Sequence, residues 1–224
     1  MRWRTNRSGG NVAQKEAANL EDVPEGPTPG GSGVGQLGGE TAAILVRLRS
    51  LDEALRPSEF LATGGEGLRH PGLYSWWVDP AGAATLSAGL GHDIHAGLIY
   101  AGLAGATHTR SGKTSRNTLW GRIHGMHLGG RHEFSTFRRS IGSILASALQ
   151  APEIDEPALT SWMHEHLRVV AVPVADADTL DDLETTVLTE LDPPLNLMKM
   201  SKTPIRRRLS ELRRPHGRTG RVRS

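Results

Sequence analysis

The apolar residues of this chain change spacing several times, and each change marks an element. From Glu40 to Leu61, Ile44, Leu45, Leu48, Leu51 and Leu55 recur at helical spacing, and Pro57 is expected to end or kink that helix. Leu73 to Val78 and Gly97 to Leu103 read as strands. The stretch between them, with Pro80, Gly82, Gly89 and Gly91, reads as a long irregular insertion. Helices are predicted over Asn117 to Leu128, Ser135 to Leu149 (capped by Ser135 or Thr136) and Pro157 to Leu167. Arg168 to Val174 is β-branched and reads as a strand; Asp178 to Leu191 reads as a helix stopped by Pro193-Pro194. Thr203-Pro204 opens a short basic helix with Ile205, Leu209 and Leu212 on one face. This order fits a small α/β (α+β) domain with a central three-stranded, mostly antiparallel sheet flanked by helices.

Composition qualifies the ends. Residues Met1 to Gly39 are rich in Gly, Pro, Ser and Asn without apolar period, so 1–39 is expected to be a disordered arm, 40–200 the folded domain and 201–224 a basic helix and tail. An apolar content of 37% agrees with a partly disordered chain. With no cysteine, disulfides, thiol nucleophiles and cysteine-based zinc sites are excluded, and a cytoplasmic location is expected. No run of eighteen apolar residues exists, so no membrane partner is expected. Net charge is +2, yet residues 201–224 hold nine Lys/Arg against Glu211, net +8, which leaves 2 − 8 = −6 for the first 200. His108 to Arg139 holds seven Lys/Arg against Glu133, net +6. Two basic segments on an acidic background suggest a localised polyanion site, with solvated loops as the plain alternative.

The chain has only two tyrosines, Tyr74 and Tyr100, each in a strand-plus-glycine setting: Gly72-Leu73-Tyr74 and Tyr100-Ala101-Gly102. Core packing is the commonest fate of strand tyrosines, but glycine beside them is where a polar aromatic group approaches a ligand. Together these segments resemble the paired motif of the GIY-YIG nucleases. The resemblance extends to Arg122 on the next helix, Glu184 on a late helix and Asn196 after Pro193-Pro194, and spans roughly Leu68 to Met200. Ser135-Thr136-Phe137-Arg138 after a glycine-rich break resembles the restriction-enzyme-like branch. Leu73 and Ala101 depart from the motif's isoleucines, and the gap between the tyrosines is long. Some relatives carry a histidine one turn after the arginine. That position here is Met126, with His124 and His127 on either side.

The resemblance implies a metal-dependent endonuclease acting on DNA, with Tyr74, Tyr100, Arg122, Glu184 and Asn196 as catalytic residues. Glu184 would hold Mg²⁺ or Mn²⁺, and Tyr74 would act as general base, with His124 or His127 as proton relay. Asn196 would bond Tyr74 or the phosphate's surroundings, and Lys113, Arg116, Arg138 and Arg139 would contact the flanking backbone. Restriction, defence and repair roles are all open. Cutting both strands with one site per chain favours a homodimer or sequential nicks. A catalytically inactive DNA-binding module and a partner-binding protein are the rival classes. The basic tail, outside the motif span, is expected to strengthen DNA binding without being needed for cutting.

Periodicity supports Glu184 independently. At about 100° per residue it lies roughly 40° from Leu180, inside the apolar stripe of Leu183, Val187, Leu188 and Leu191. An inward carboxylate needs an ion pair or a hard cation. Arg122 borders the stripe of Leu119, Ile123 and Met126, where a snorkelling surface arginine is the commoner case. His92/His95 and His124/His127 have i, i+3 spacing, but without cysteines zinc is not the favoured reading, and His164-Glu165-His166 reads as a solvated helix end.

Overall fold

A computed structural model of the chain describes residues 33–108 and 113–217; most of the expected N-terminal arm and the last seven residues lie outside them. Two helices, α1 (Gly33–Leu48) and α2 (Pro57–Ala62), precede strand β1 (Gly72–Val78). The single helix expected over this region is broken after Leu48, and Pro57 begins the second helix as its first residue. Proline has no N–H to lose at that position. Helix α3 (Pro80–Leu90) then leads to β2 (Gly97–Ala104), a short β3–β4 ladder (Thr107–His108 with Lys113–Thr114) and a π-helix over Gly121–His127. Helices α4 (Thr136–Ala148) and α5 (Glu156–His166), strand β5 (Leu167–Pro173), and helices α6 (Leu180–Leu191) and α7 (Pro204–Arg213) complete the order.

The main sheet has the order β2-β1-β5, and both pairings are antiparallel. Alternation along β1 sends Tyr74, Trp76 and Val78 to one face and Leu73 to the other. The Tyr74 face is covered by α2, α3, α4, α5 and α7 through Phe60, Leu86, Leu90, Ile141, Ile144, Leu159 and Leu209. The Leu73 face, with Ala101, Val170 and Val172, is covered by Ile44 and Leu48 of α1 and Leu180, Val187 and Leu188 of α6. Register slips where Trp76 faces Tyr100 and Trp77 faces Leu98, so Ile99 is a bulged residue. The bulge turns Ile99 and Tyr100 toward the same face as Tyr74. Beyond β5, Leu55 pairs with Val169 in an isolated bridge.

The stretch expected to be irregular is the helix α3. Asp79 caps it by accepting from Gly82 N–H at 2.7 Å, Pro80 opens it, and Gly91 closes it in the left-handed region (φ 66°). Its glycines lower helix propensity, which hid it, but they serve contact. A Cβ at Gly89 would lie 2.2 Å from the carbonyl oxygen of Ile144, so α3 and α4 touch backbone to backbone there. His166, read as solvated, is largely buried, and its Nδ1 lies 3.1 Å from the same Asp79 carboxylate.

The C-terminal basic helix belongs to the folded body. Leu209 is fully buried among the core residues. Arg206, also buried, reaches Asp192 Oδ1 at 2.6 Å and donates to the Pro193 carbonyl at 2.9 Å. Deleting 201–224 would therefore open the core as well as remove charge, so the tail is not a separable arm. Among the described residues, no helix is long and apolar enough to cross a membrane. Leu209→Ala should lower stability by about 2–5 kcal/mol, and Gly89→Ala by roughly 1–3 kcal/mol through overpacking. Urea unfolding of both variants checks this; wild-type midpoints would mean that neither α7 nor the α3–α4 contact supports the core.

Candidate active site

Tyr74 sits on the central strand, fully buried, with Gly102 as its cross-strand partner. A Cβ at Gly102 would lie 2.6 Å from the Tyr74 hydroxyl, so only glycine lets the ring lie across β2. The hydroxyl has two polar neighbours: His127 Nε2 at 2.8 Å and Arg122 Nε, which donates at 3.4 Å. His127 Nδ1 in turn meets Ser135 Oγ at 2.7 Å, and that oxygen caps α4 by accepting from Arg138 N–H at 2.9 Å. The tautomer with Nδ1–H donating to Ser135 leaves Nε2 to accept from Tyr74.

The π-helix selects the histidine. In an α-helix the residue one turn below Arg122 is Met126. Here Leu128 N–H bonds the Ile123 carbonyl five residues back, at 2.9 Å, so the wider turn brings His127 onto the same hydroxyl as Arg122. Met126 still touches Arg122, through Sδ at 3.3 Å from Nη1. His124 faces outward and stacks on Trp120, ring centres 4.6 Å apart.

Burial sets the protonation states. It pushes the Tyr74 phenol well above its ordinary value of 10.0, aided by Tyr100 and outweighing the pull of Arg122. Burial, then the Arg122 charge, holds His127 well below 6.5, so the ring is neutral at physiological pH. Among the described residues the Arg122 side chain has only long or soft partners, the phenol and a thioether. Its planar fork is therefore lightly committed and faces a cavity.

That cavity, about 550 Å³, is lined by Tyr100, Arg122, Glu184 and Asn196 together with Thr136, Arg139, Lys199 and Arg213. Tyr74 lies behind this wall. Glu184 takes the inward edge of α6 and its carboxylate lies 3.0 Å from Lys199 Nζ, with side-chain exposures of 19% and 27%. Lys199 also reaches Asp181 Oδ1 at 2.9 Å, from a backbone in the left-handed region (φ 62°). The Tyr100 hydroxyl lies 3.4 Å from Thr136 Oγ1 at the start of α4.

Two expected contacts are corrected. Asn196 does not bond Tyr74. Its amide pairs with the backbone of Ala101, Nδ2 donating to the carbonyl at 2.8 Å and Oδ1 accepting from N–H at 3.0 Å. Arg138 cannot touch DNA, because it is fully buried. Its Nε donates to Glu156 Oε2 at 2.7 Å, and Nη2 donates to the Glu156 carbonyl at 3.0 Å and to Thr160 at 2.6 Å. Its neighbour Arg139 lines the cavity, a consequence of the roughly 100° between successive helix positions. Arg116 is exposed; Lys113 lies in β4, its side chain outside the described residues.

Sequence reasoning missed Ser135 as a partner of the histidine, Lys199 as the partner of Glu184, and Arg213. Ser135 carried a signal, as a helix cap eight residues after a histidine. Lys199 and Arg213 carried none, since their positions follow from tertiary packing. A second group able to bind metal, His132, Glu133 and Glu156, has ligand atoms within 4.8 Å of one another. It lies outside the cavity lining, and Glu156 is already held by Arg138 and His132.

No curated protein and no solved structure gives a match to the chain. Residues 72–215, more than half of the 224, match the family model described as the GIY-YIG catalytic domain. The match begins at the glycine two residues before Tyr74 and runs through Arg122, His127, Glu184 and Asn196 into α7, and the chain is a member of the GIY-YIG nuclease family.

Proposed function

We propose that this protein is a metal-dependent endonuclease that hydrolyses DNA phosphodiesters in this cavity. The observation that carries the reading is the buried Tyr74–His127 hydrogen bond behind an underused arginine fork that shares its cavity with an inward carboxylate. Glu184 fits a divalent cation: a cation, the Lys199 ammonium, already lies against its carboxylate, and hard oxygen donors suit Mg²⁺ or Mn²⁺. When bound, such an ion would supply positive charge to the phosphate oxygens.

The residues divide the remaining work. Arg122 would leave its weak internal partners for the phosphate and stabilise the charge that grows there. Its departure would uncover the Tyr74 hydroxyl. Tyr74 then takes a proton from the attacking water as it passes its own to His127 Nε2, so no free phenolate has to form in a site that disfavours one. Ser135 keeps the imidazole in the receiving tautomer. Tyr100 orients water or phosphate from the cavity wall. Asn196 contributes by fixing the backbone beside Tyr100 instead of by touching substrate. A restriction or defence role agrees with the resemblance of the Ser135 segment to that branch. Cleavage of methylated and unmethylated plasmids with Mg²⁺ or Mn²⁺, with mapping of the ends, tests both chemistry and role. A plasmid shifted but never nicked would leave a DNA-binding module.

Tyr74→Phe should slow single-turnover nicking by about 10²–10⁴-fold and cost about 1–3 kcal/mol, because His127 Nε2 loses its partner. His124→Ala should do neither. Wild-type nicking by Tyr74→Phe would end the proton-transfer assignment.

Glu184→Gln should abolish metal-dependent nicking and change stability by less than about 1 kcal/mol, since the pair is partly exposed and Lys199 keeps Asp181. Thermal melts and nicking on this one variant decide it; retained nicking would remove Glu184 as the metal ligand.

His127 also sets a pH dependence. Its folded-state value is depressed, so the stability linked to it is complete above 6.5 and is lost as pH falls below 6.5 toward the folded value, where only the unfolded chain takes up the proton. The nicking rate should therefore show no loss centred on 6.5 when pH is lowered from about 8. A rate that halves near 6.5 would mean that an ordinary, accessible histidine, not His127, receives the proton.

A further inference from the structure

Four cationic side chains face the cavity, and two of them have tasks inside the protein. Lys199 holds Glu184 and Asp181, and Arg122 holds Tyr74. Arg139, from α4, and Arg213, from the last turn of α7, have no acidic partner among the described residues. Arg139 Nε is buried and has no hydrogen-bond partner among the described residues; Arg206 Nε shares that lack, but its other nitrogens are held by Ser201, Asp192 and Pro193. A buried guanidinium N–H without an acceptor is unusual enough to need an explanation. The two arginines also act on each other: after burial, the charge of Arg139 is the next cause that lowers the Arg213 pKa. Two like charges that repel across a half-buried wall cost stability in the free protein, a cost that a bound anion would offset.

We propose that Arg139 and Arg213 form a clamp for a backbone phosphate of the bound DNA strand, neighbouring the phosphate that is cut. This rests on the nuclease reading above. Arg122 and Glu184 serve the scissile phosphate, and the cavity is several times larger than one phosphate group. Arg139 enters beside Thr136 at the head of α4, and Arg213 comes from a helix 74 residues further along the chain. The clamp therefore exists only once α7 is docked, which Arg206 and Leu209 secure. Guanidinium forks from two directions can share the oxygens of one phosphate, and a single shared phosphate makes their effects non-additive.

The test measures binding of a short DNA duplex without metal, across a range of salt, for wild type, Arg139→Met, Arg213→Met and the double variant. Methionine keeps the apolar bulk of the side chain. Each single variant should bind roughly tenfold more weakly or worse, and its slope of log affinity against log salt should fall by about 0.9. The double variant should lose little more than either single. Melting temperatures should hold or rise as repulsion is relieved. A duplex with an uncharged methylphosphonate at the mapped cleavage linkage separates the two phosphates. On it, the single variants should still bind more weakly than wild type by the same factor. Equal binding of wild type and variants there would assign the arginines to the scissile phosphate and overturn the clamp. Unchanged affinity and slope with a lowered melting temperature would make both arginines packing residues, again overturning it, while wild-type nicking left the nuclease reading intact. Wild type that neither binds nor cuts DNA would fail both.

Discussion

A phenol hydroxyl buried at the centre of a sheet must find partners, because water cannot reach it. Much of this domain's architecture follows from how Tyr74 is satisfied. Its oxygen requires an imidazole at hydrogen-bond distance, which requires the wide turn of the π-helix. The imidazole requires a polar atom behind it, and Ser135 supplies one while capping α4. The next side chain but two, Arg138, is buried under that cap and needs a carboxylate, so α5 carries Glu156 at its first turn. One line of hydrogen bonds thus runs from the central strand through three helical elements. Each buried polar group in it is partnered by the next, and such networks fix one arrangement more strictly than apolar packing does.

The line also separates two jobs that adjacent residues perform. Arg138 and Arg139 are both cations on α4, yet the first, fully buried, neutralises the half-buried Glu156 carboxylate and the second faces an open cavity. Charge counts over this segment treat them alike. The same distinction holds in α7, where Arg206 ties down the Pro193 loop and Arg213 turns toward the cavity. Basic composition therefore overstates the charge available to a polyanion, since part of it is consumed inside the fold.

What could be read from the sequence was whatever a repeating pattern expresses. The period-two strands were legible, as was the tilt of Glu184 into the apolar stripe of α6, and both tyrosines were found through their glycines. Helix α3 was illegible because the residues that let it lie against α4 are those that argue against a helix. His127 was ambiguous because the spacing of side chains along a helix assumes α winding, and one π turn shifts the register by a residue. The resemblance to the family placed Arg138 on the flanking backbone and Asn196 at the reaction. Their real partners, Glu156 and the Ala101 backbone, are 18 and 95 positions away. Contacts at such separation leave no local trace.

Asn196 has a consequence beyond the cavity. Its side-chain amide presents a donor and an acceptor to Ala101 as a neighbouring strand would, and Leu195 N–H adds a bond to the Ile99 carbonyl at 3.1 Å. On the opposite side of the sheet, Leu55 exchanges backbone bonds with Val169 in the same manner. A three-stranded sheet has two borders, and unpaired borders invite strands from other molecules. Here each border is met over a few positions by a short imitation of a strand, Leu195 and Asn196 on β2 and Leu55 on β5. The segment that leads to the cavity wall thus also ties down part of the β2 border, so a change at Asn196 would loosen a sheet edge as well as the backbone beside Tyr100.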